Sequence, residues 1–170
     1  MSSANYYRVW KLKAKLAIQD PDMSGERFHH SVFVETDDDG SGIKFHVTGD
    51  ITSGMSYESK PHNPQSPDTE ETKELLGYTN ARTVPNEWDA LLNQQKPPPK
   101  QKAFNIETMK TEPVKSWEPL TFYSPGEQRR PLWKCTEWIE HQALPALYGA
   151  GFIVQTLPQN STSNIHSHRS

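Results

Sequence analysis

An alternation of apolar and polar residues with a period of two, close to the N-terminus, constrains the fold most strongly. In residues 8–16, RVWKLKAKL, four apolar residues from Trp10 to Leu16 alternate with three lysines. Successive side chains of a β-strand point to opposite faces, so this pattern predicts a strand near residues 7–17 with one buried face. The lysine face has two interpretations, a patch for an anionic ligand and a solvated face whose charges discourage edge pairing, and we favour the second.

Two further strand-like segments predict a β-hairpin over residues 27–49. RFHHSVFVET is rich in β-branched and aromatic residues, and GIKFHVTGDI has apolar residues at alternate positions. The acidic sequence DDDGSG between them lacks the later glutamate of an EF-hand calcium loop, so we interpret it as the hairpin turn. We expect the two strands near residues 28–36 and 42–49.

The remaining segments predict shorter elements, separated by proline-rich or polar stretches. In chain order they are a short strand near 55–58, a surface loop over 60–71, a segment ambiguous between strand and helix over 72–84, a helix over 85–92, a proline-rich linker over 94–102, a strand within 103–123, a last strand over 152–157 and a disordered tail over 158–170.

The best helix of the sequence lies within residues 131–151, PLWKCTEWIEHQALPALYGAG. Apolar residues from Cys135 to Leu147 recur at helical spacing and form one stripe. Pro145 lacks a backbone N–H and predicts a kink or an interruption of this helix. We therefore expect one α+β domain over residues 1–157, with an antiparallel sheet packed against a few helices.

Composition excludes several classes of protein. The 18 basic and 21 acidic residues give a net charge of −3, which argues against nucleic acid as a partner. No apolar run approaches the roughly 18 residues of a membrane helix, so we expect no integral membrane segment. The single cysteine, Cys135, excludes an internal disulfide and favours a reducing, cytoplasmic location.

Three histidines and the cysteine are the candidate site residues: His29, His30, His46 and Cys135. The start of a helix stabilises a thiolate, and an imidazole in hydrogen-bond reach takes the thiol proton. A polar group on the other imidazole nitrogen fixes its tautomer, and facing side chains of neighbouring strands, about 5 Å apart, allow His46 to fill that role. Strand alternation allows only one of the adjacent histidines to point at Cys135. The small Ser31 leaves room beside His29, so we favour His29, with His30 as the alternative.

These residues also carry a resemblance to the circularly permuted papain-like fold of the lecithin:retinol acyltransferase family and related thiol hydrolases. In that family a strand of the type H-W-A-[LI]-[YF]-V precedes a turn and a second histidine strand, and the cysteine follows at a helix start. Here HHSVFVETDDDGSGIKFHVTG and KCTEWIEH stand in the same order. The chain is also similar to small fungal proteins with this hairpin and a C-x-x-W helix. The resemblance implies that Cys135 is the nucleophile, His29 the catalytic histidine and His46 the third member.

The favoured function is a cysteine-dependent hydrolase or acyltransferase that acts on an amide, ester or thioester through an acyl-enzyme. Two alternatives stay open: a non-catalytic binding module of the same fold, and a small-metabolite cyclase or isomerase that uses the histidines as acid and base. We expect a small-molecule, acyl or peptide substrate and no cofactor. We expect no metal site either, because His29, His30, His46 and Cys135 lack the spaced ligand pairs of a zinc site.

Overall fold

A six-stranded sheet and a three-stranded sheet form the framework of the fold. The computed structural model describes residues 4–67, 70–159 and 161–163. The elements are β1 (Ala4–Lys15), β2 (Phe28–Glu35), β3 (Gly42–Asp50), β4 (Gly54–His62), β5 (Glu71–Asn80), a 3₁₀ turn (Ala81–Thr83), α1 (Asn86–Leu92), β6 (Lys102–Asn105), β7 (Lys110–Trp117), β8 (Leu120–Phe122), α2 (Cys135–Trp138), a π-helical turn (Ile139–Ala143), α3 (Leu144–Gly149) and β9 (Ser161–Ser163). The class is α+β with mostly antiparallel sheets, as the sequence predicts.

The predicted hairpin is formed by β2 and β3, which are adjacent inner strands of the larger sheet. The two strands pair antiparallel with Val34 opposite Ile43. Ser41 donates backbone and side-chain hydrogen bonds to Asp39, so DDDGSG is a turn closed by its own polar groups. At Gly42 an added Cβ would lie 1.9 Å from the carbonyl oxygen of Val34, which only glycine avoids.

The strand β1 lies inside the sheet, so its lysines do not serve to discourage pairing at a sheet edge, contrary to the prediction from the sequence. The order is β4-β3-β2-β1-β5, and β1 also pairs in parallel with β9. The segment of ambiguous type is β5, and its pairing along β1 satisfies the second side of that strand. In the middle of β1 both faces are buried, since Val9 and Leu12 point in opposite directions and are both almost inaccessible. The lysine face is solvated at Lys13 and Lys15, as expected, while Lys11 forms an ion pair with Glu140.

Several other boundaries differ from the sequence prediction because they depend on long-range pairing. The predicted loop over 60–71 is shorter, since β4 extends to His62 and β5 begins at Glu71. Residues 103–123 form the separate sheet β6-β7-β8 instead of one strand on the main sheet. The expected last strand over 152–157 is reduced to a single bridge between Tyr78 and Val154.

The predicted disordered tail is contradicted at residues 161–163, which pair with β1 as β9. Residue 160 and residues 164–170 of that tail lie outside the described residues. Within the described part, no helix is long and apolar enough to cross a membrane.

One face of the main sheet, called the helix face here, packs against α1, α2, the π-helical turn and α3. Phe45 contacts the Trp88 ring of α1 at a centroid distance of 4.8 Å, and Tyr57 packs against Trp138 of α2 at 5.8 Å. The predicted interruption of the last helix is present, because a π-helical turn precedes Pro145 in the first turn of α3. The buried core on this side is formed by Val9, Val32, Val34, Phe45, Val47, Trp88, Leu92, Cys135, Trp138, Ile139, Ala143, Leu144, Leu147 and Ile153.

The opposite face of the sheet is concave. Its two edge strands meet at one end, where His62 of β4 and Glu71 of β5 form a 2.9 Å hydrogen bond. The Phe33 ring inside is fully buried and packs edge-on against His62. We call this side the concave face; strand alternation places His29, Lys44 and His46 on it.

Candidate functional site

A chain of three hydrogen-bonded side chains lies on the concave face. His29 Nε2 is 2.8 Å from His46 Nδ1, and His46 Nε2 is 2.8 Å from Glu58 Oε1. Three adjacent strands hold the chain: β2 carries His29, β3 carries His46, and the β3–β4 register places Glu58 directly opposite His46. The expected contact between His29 and His46 is therefore formed.

The carboxylate at the end of the chain fixes the tautomers of both imidazoles. An ionised carboxylate only accepts hydrogen bonds, so His46 carries its proton on Nε2 and donates it to Glu58. The Nδ1 atom of His46 is then the acceptor, and His29 donates to it from Nε2. It follows that neutral His29 keeps an unprotonated Nδ1, which is the atom available to take a proton.

The surroundings keep both imidazoles neutral at pH 7. Burial, with the neighbouring charges of His46 and Lys44, lowers the pKa of His29 to about 4. Burial also lowers the pKa of His46, against the opposing effect of its hydrogen bond to Glu58. The hydrogen bond from His46 lowers the pKa of Glu58, which stays ionised and is 41% exposed at its side chain. The chain thus joins a half-buried imidazole to a carboxylate in contact with water.

Cys135 lies on the other side of β2 and forms no hydrogen bond with any of the described histidines. It is the first residue of α2 and 6% exposed, and its Sγ is 3.7 Å from the carbonyl oxygen of Phe28. It shares the buried core with Val32 and Val34, which alternate with His29 and so lie on the same face as His30. The prediction that His29 faces the cysteine helix is wrong: His30 is on that face.

The reason for this reversal is long-range packing rather than the size of Ser31. The branched side chains of Val32 and Val34 pack against Trp138 and its neighbours, and this determines which face the helix covers. His30 is 6% exposed, and its Nδ1 has no hydrogen-bond partner among the residues that the structure describes. Burial and the nearby lysines Lys11 and Lys13 lower the pKa of His30 to about 4, so its ring is neutral at pH 7.

A small cavity of about 30 Å³ borders Cys135 and is lined by both charged and apolar side chains. Among its lining residues are Arg27 and Lys134. Arg27 forms a bidentate ion pair with Glu137 at 2.7 and 2.8 Å, which raises the pKa of the guanidinium. Lys134 is likewise paired, with Asp20 at 2.8 Å.

Sequence reasoning missed Glu58 and Arg27. Glu58 is recognised as a partner of His46 only once the β3–β4 register is known, because they are twelve residues apart in the chain. Arg27 precedes the histidine strand, but its contact with Glu137 spans 110 residues and leaves no local signal. Among the residues that the structure describes, no group of three or more His, Cys, Asp or Glu side chains is arranged to hold a metal ion.

The fold and these groups define an α+β protein with a curled antiparallel sheet, a histidine–histidine–carboxylate chain on its concave face and a thiol at a helix start on the opposite face. Residues 16–154 match a family described as a family of unknown function, DUF6540, and the chain belongs to this family. The match covers the hairpin, the cysteine helix and all the candidate residues. No curated protein and no solved structure matches the chain.

Proposed function

We propose that the chain is an enzyme that uses His29 as a general base and acid on a small metabolite, in an isomerisation or cyclisation without a covalent intermediate. The observation that carries this proposal is the pair of 2.8 Å hydrogen bonds that links His29, His46 and Glu58. Such a chain orients the base, sets its tautomer and accommodates the charge that forms when the base is protonated.

The proton transfer follows from the tautomers. His29 Nδ1 takes a proton from the substrate, and the imidazolium that forms is hydrogen-bonded through His46 to the negative Glu58. The same Nδ1–H then returns the proton to another atom of the substrate, so the ring ends the cycle neutral. The lowered pKa of His29 keeps the ring unprotonated before the substrate binds.

The test is untargeted mass spectrometry of a small-metabolite extract incubated with the protein. We expect wild type to convert at least one metabolite, His29→Gln to lose this conversion by about a hundredfold or more, and Cys135→Ser to retain it. His46→Asn should be milder than His46→Ala, because asparagine still hydrogen-bonds to His29. His141→Gln, on an exposed histidine, is the matched control. Equal conversion by wild type and His29→Gln would refute the proposal.

A second candidate function, the cysteine-dependent hydrolase or acyltransferase, is favoured by the position of Cys135. Cys135 is the first residue of α2, and its thiol borders a cavity that Arg27 and Lys134 also line. In this mechanism Sγ bonds to a carbonyl carbon, the bond to the leaving amine, alcohol or thiol breaks, and His30 carries the thiol proton to the leaving group. This second candidate function carries with it the proposals of a permuted papain-like fold and a cytoplasmic location.

Thiol labelling separates the two candidates. A reactive Cys135 is alkylated by iodoacetamide within minutes at pH 6–7, and His30→Gln slows the reaction while His29→Gln does not. If Cys135 reacts only in denaturant, it is a core residue and the thiol mechanism is excluded.

A further inference from the structure

Lys44 is a charged side chain in the concave face that lacks a charged partner. The residue is nine-tenths buried, and its Nζ is not among the buried nitrogens that lack a partner, so the ammonium reaches the surface of the face. Within the described residues it forms no hydrogen bond and no ion pair within 4 Å. Two carboxylates, Glu58 and Glu71, act electrostatically on Lys44, but both already have partners. Glu58 pairs with His46 and Lys60, and Glu71 pairs with His62. A lysine that buries its stem and presents an unpaired ammonium at the surface offers a charge with which an anionic group can pair.

A second lysine adds to the positive charge at the same place. The register of β3 and β4 places Lys60 directly opposite Lys44, and strand alternation turns both onto the face of His46. Like charges directly opposite each other destabilise a sheet. Burial and the Lys60 charge lower the pKa of Lys44, and the charges of both lysines also act on His29 and His46.

We propose that Lys44 and Lys60 bind an anionic oxygen group, a carboxylate or a phosphate, of a small ligand whose remainder lies beside His29. The inference rests on the proposed acid–base function for the identity of that ligand as a substrate. It narrows the substrate class to small organic acids and phosphate esters whose anionic group is separated from the reacting atoms, because Lys44 pairs with Phe33, four residues along β2 from His29. The oxygen group would accept charge-assisted hydrogen bonds from the ammonium of Lys44.

Binding of simple anions tests the proposal without any turnover. The imidazole resonances of His29 and His46 are assigned with His29→Gln and His46→Gln and then followed by NMR during titration with acetate and with inorganic phosphate. Sodium chloride keeps the ionic strength constant. We expect saturable shifts of both resonances with at least one anion, and the anion that binds more tightly distinguishes a carboxylate from a phosphate ligand.

Two variants with equal charge change locate the site. Lys44→Met should weaken binding about tenfold or more, while Lys110→Met, on an exposed strand position, should leave it unchanged. If Lys44→Met does not fold, Lys60→Met replaces it, because that side chain is half exposed. Shifts that are absent, unsaturable or unaffected by the lysine variants would overturn the proposal. Anion binding without any substrate conversion would leave the site intact and refute only the acid–base function.

Discussion

Replacement of His30 by leucine should make the protein less sensitive to acid without a loss of stability at pH 7. His30 is buried on the helix face, and no described residue forms a hydrogen bond with its Nδ1. An unsatisfied buried polar atom costs roughly 1–3 kcal/mol, and leucine removes that cost while it fills a similar volume. At pH 7 we therefore expect His30→Leu to be at least as stable as wild type.

The acid sensitivity follows from the pKa of His30 in the two states. Burial holds it at about 4 in the folded protein, against 6.5 for an unperturbed histidine. Between these pH values the unfolded chain binds more protons than the folded one. The free energy of unfolding is therefore undiminished by His30 above pH 6.5 and decreases as the pH falls toward 4. The slope is about 1.4 kcal/mol per pH unit, which amounts to roughly 2 kcal/mol between pH 6.5 and pH 5.

Urea unfolding followed by tryptophan fluorescence at pH 7, 6.5, 6, 5.5 and 5 measures this difference. His30→Leu should lose roughly 2 kcal/mol less than wild type over the range, and His29 accounts for part of the slope that remains. His141→Leu, on the exposed side of the π-helical turn, is the control and should follow wild type. If His30→Leu and wild type have the same slope, His30 is not a buried neutral imidazole and the reasoning fails.

Three other substitutions test the packing of the fold by denaturant unfolding. Gly42→Ala should cost about 3 kcal/mol or more, because its Cβ would meet the carbonyl oxygen of Val34 at 1.9 Å. Tyr57→Phe should cost roughly 1.5–3 kcal/mol, because it removes the 2.6 Å hydrogen bond that the hydroxyl donates to the Asp89 carboxylate. Leu147→Ala should cost about 2–5 kcal/mol, because this fully buried side chain fills the core beneath α3.

Each of these variants has a control at an exposed position of the same residue type. Gly126→Ala has open space around the new methyl group and should cost about 1 kcal/mol, from its positive φ alone. Tyr148→Phe and Leu120→Ala change side chains that are 38% and 49% exposed, and both should stay within about 0.5 kcal/mol of wild type. A control that destabilises as much as its partner would contradict the burial on which that prediction depends.

The hairpin was predictable from the sequence because its signal is local. Alternating residues and a glycine-containing acidic turn are all within about twenty residues, and the contact between His29 and His46 follows from that pairing. The position of β1 was not predictable in the same way. Its second neighbour, β5, lies some sixty residues away, and the lysines of β1 resemble those of an edge strand until that pairing is known.

The choice between the two adjacent histidines shows the same limit at the candidate site. Alternation correctly separates His29 from His30, but it gives no information on which face a distant helix covers. That face is determined by the packing of Val32 and Val34 against Trp138, more than one hundred residues later. The partner of His46, Glu58, likewise depends on the register of a third strand.

The charged lining of the concave face also bears on how copies of this chain behave toward each other. Both edge strands turn charged side chains inward: β4 with Lys60 and β5 with Glu71 and Lys73. A strand from a neighbouring molecule could extend the sheet only by pairing beside these charges and separating them further from water. Inward charges on edge strands are a known protection against such sheet extension. The residues that give this face its polar chemistry therefore also oppose edge-to-edge aggregation. If all of them were replaced by apolar residues, the fold would gain stability and the protein would lose solubility.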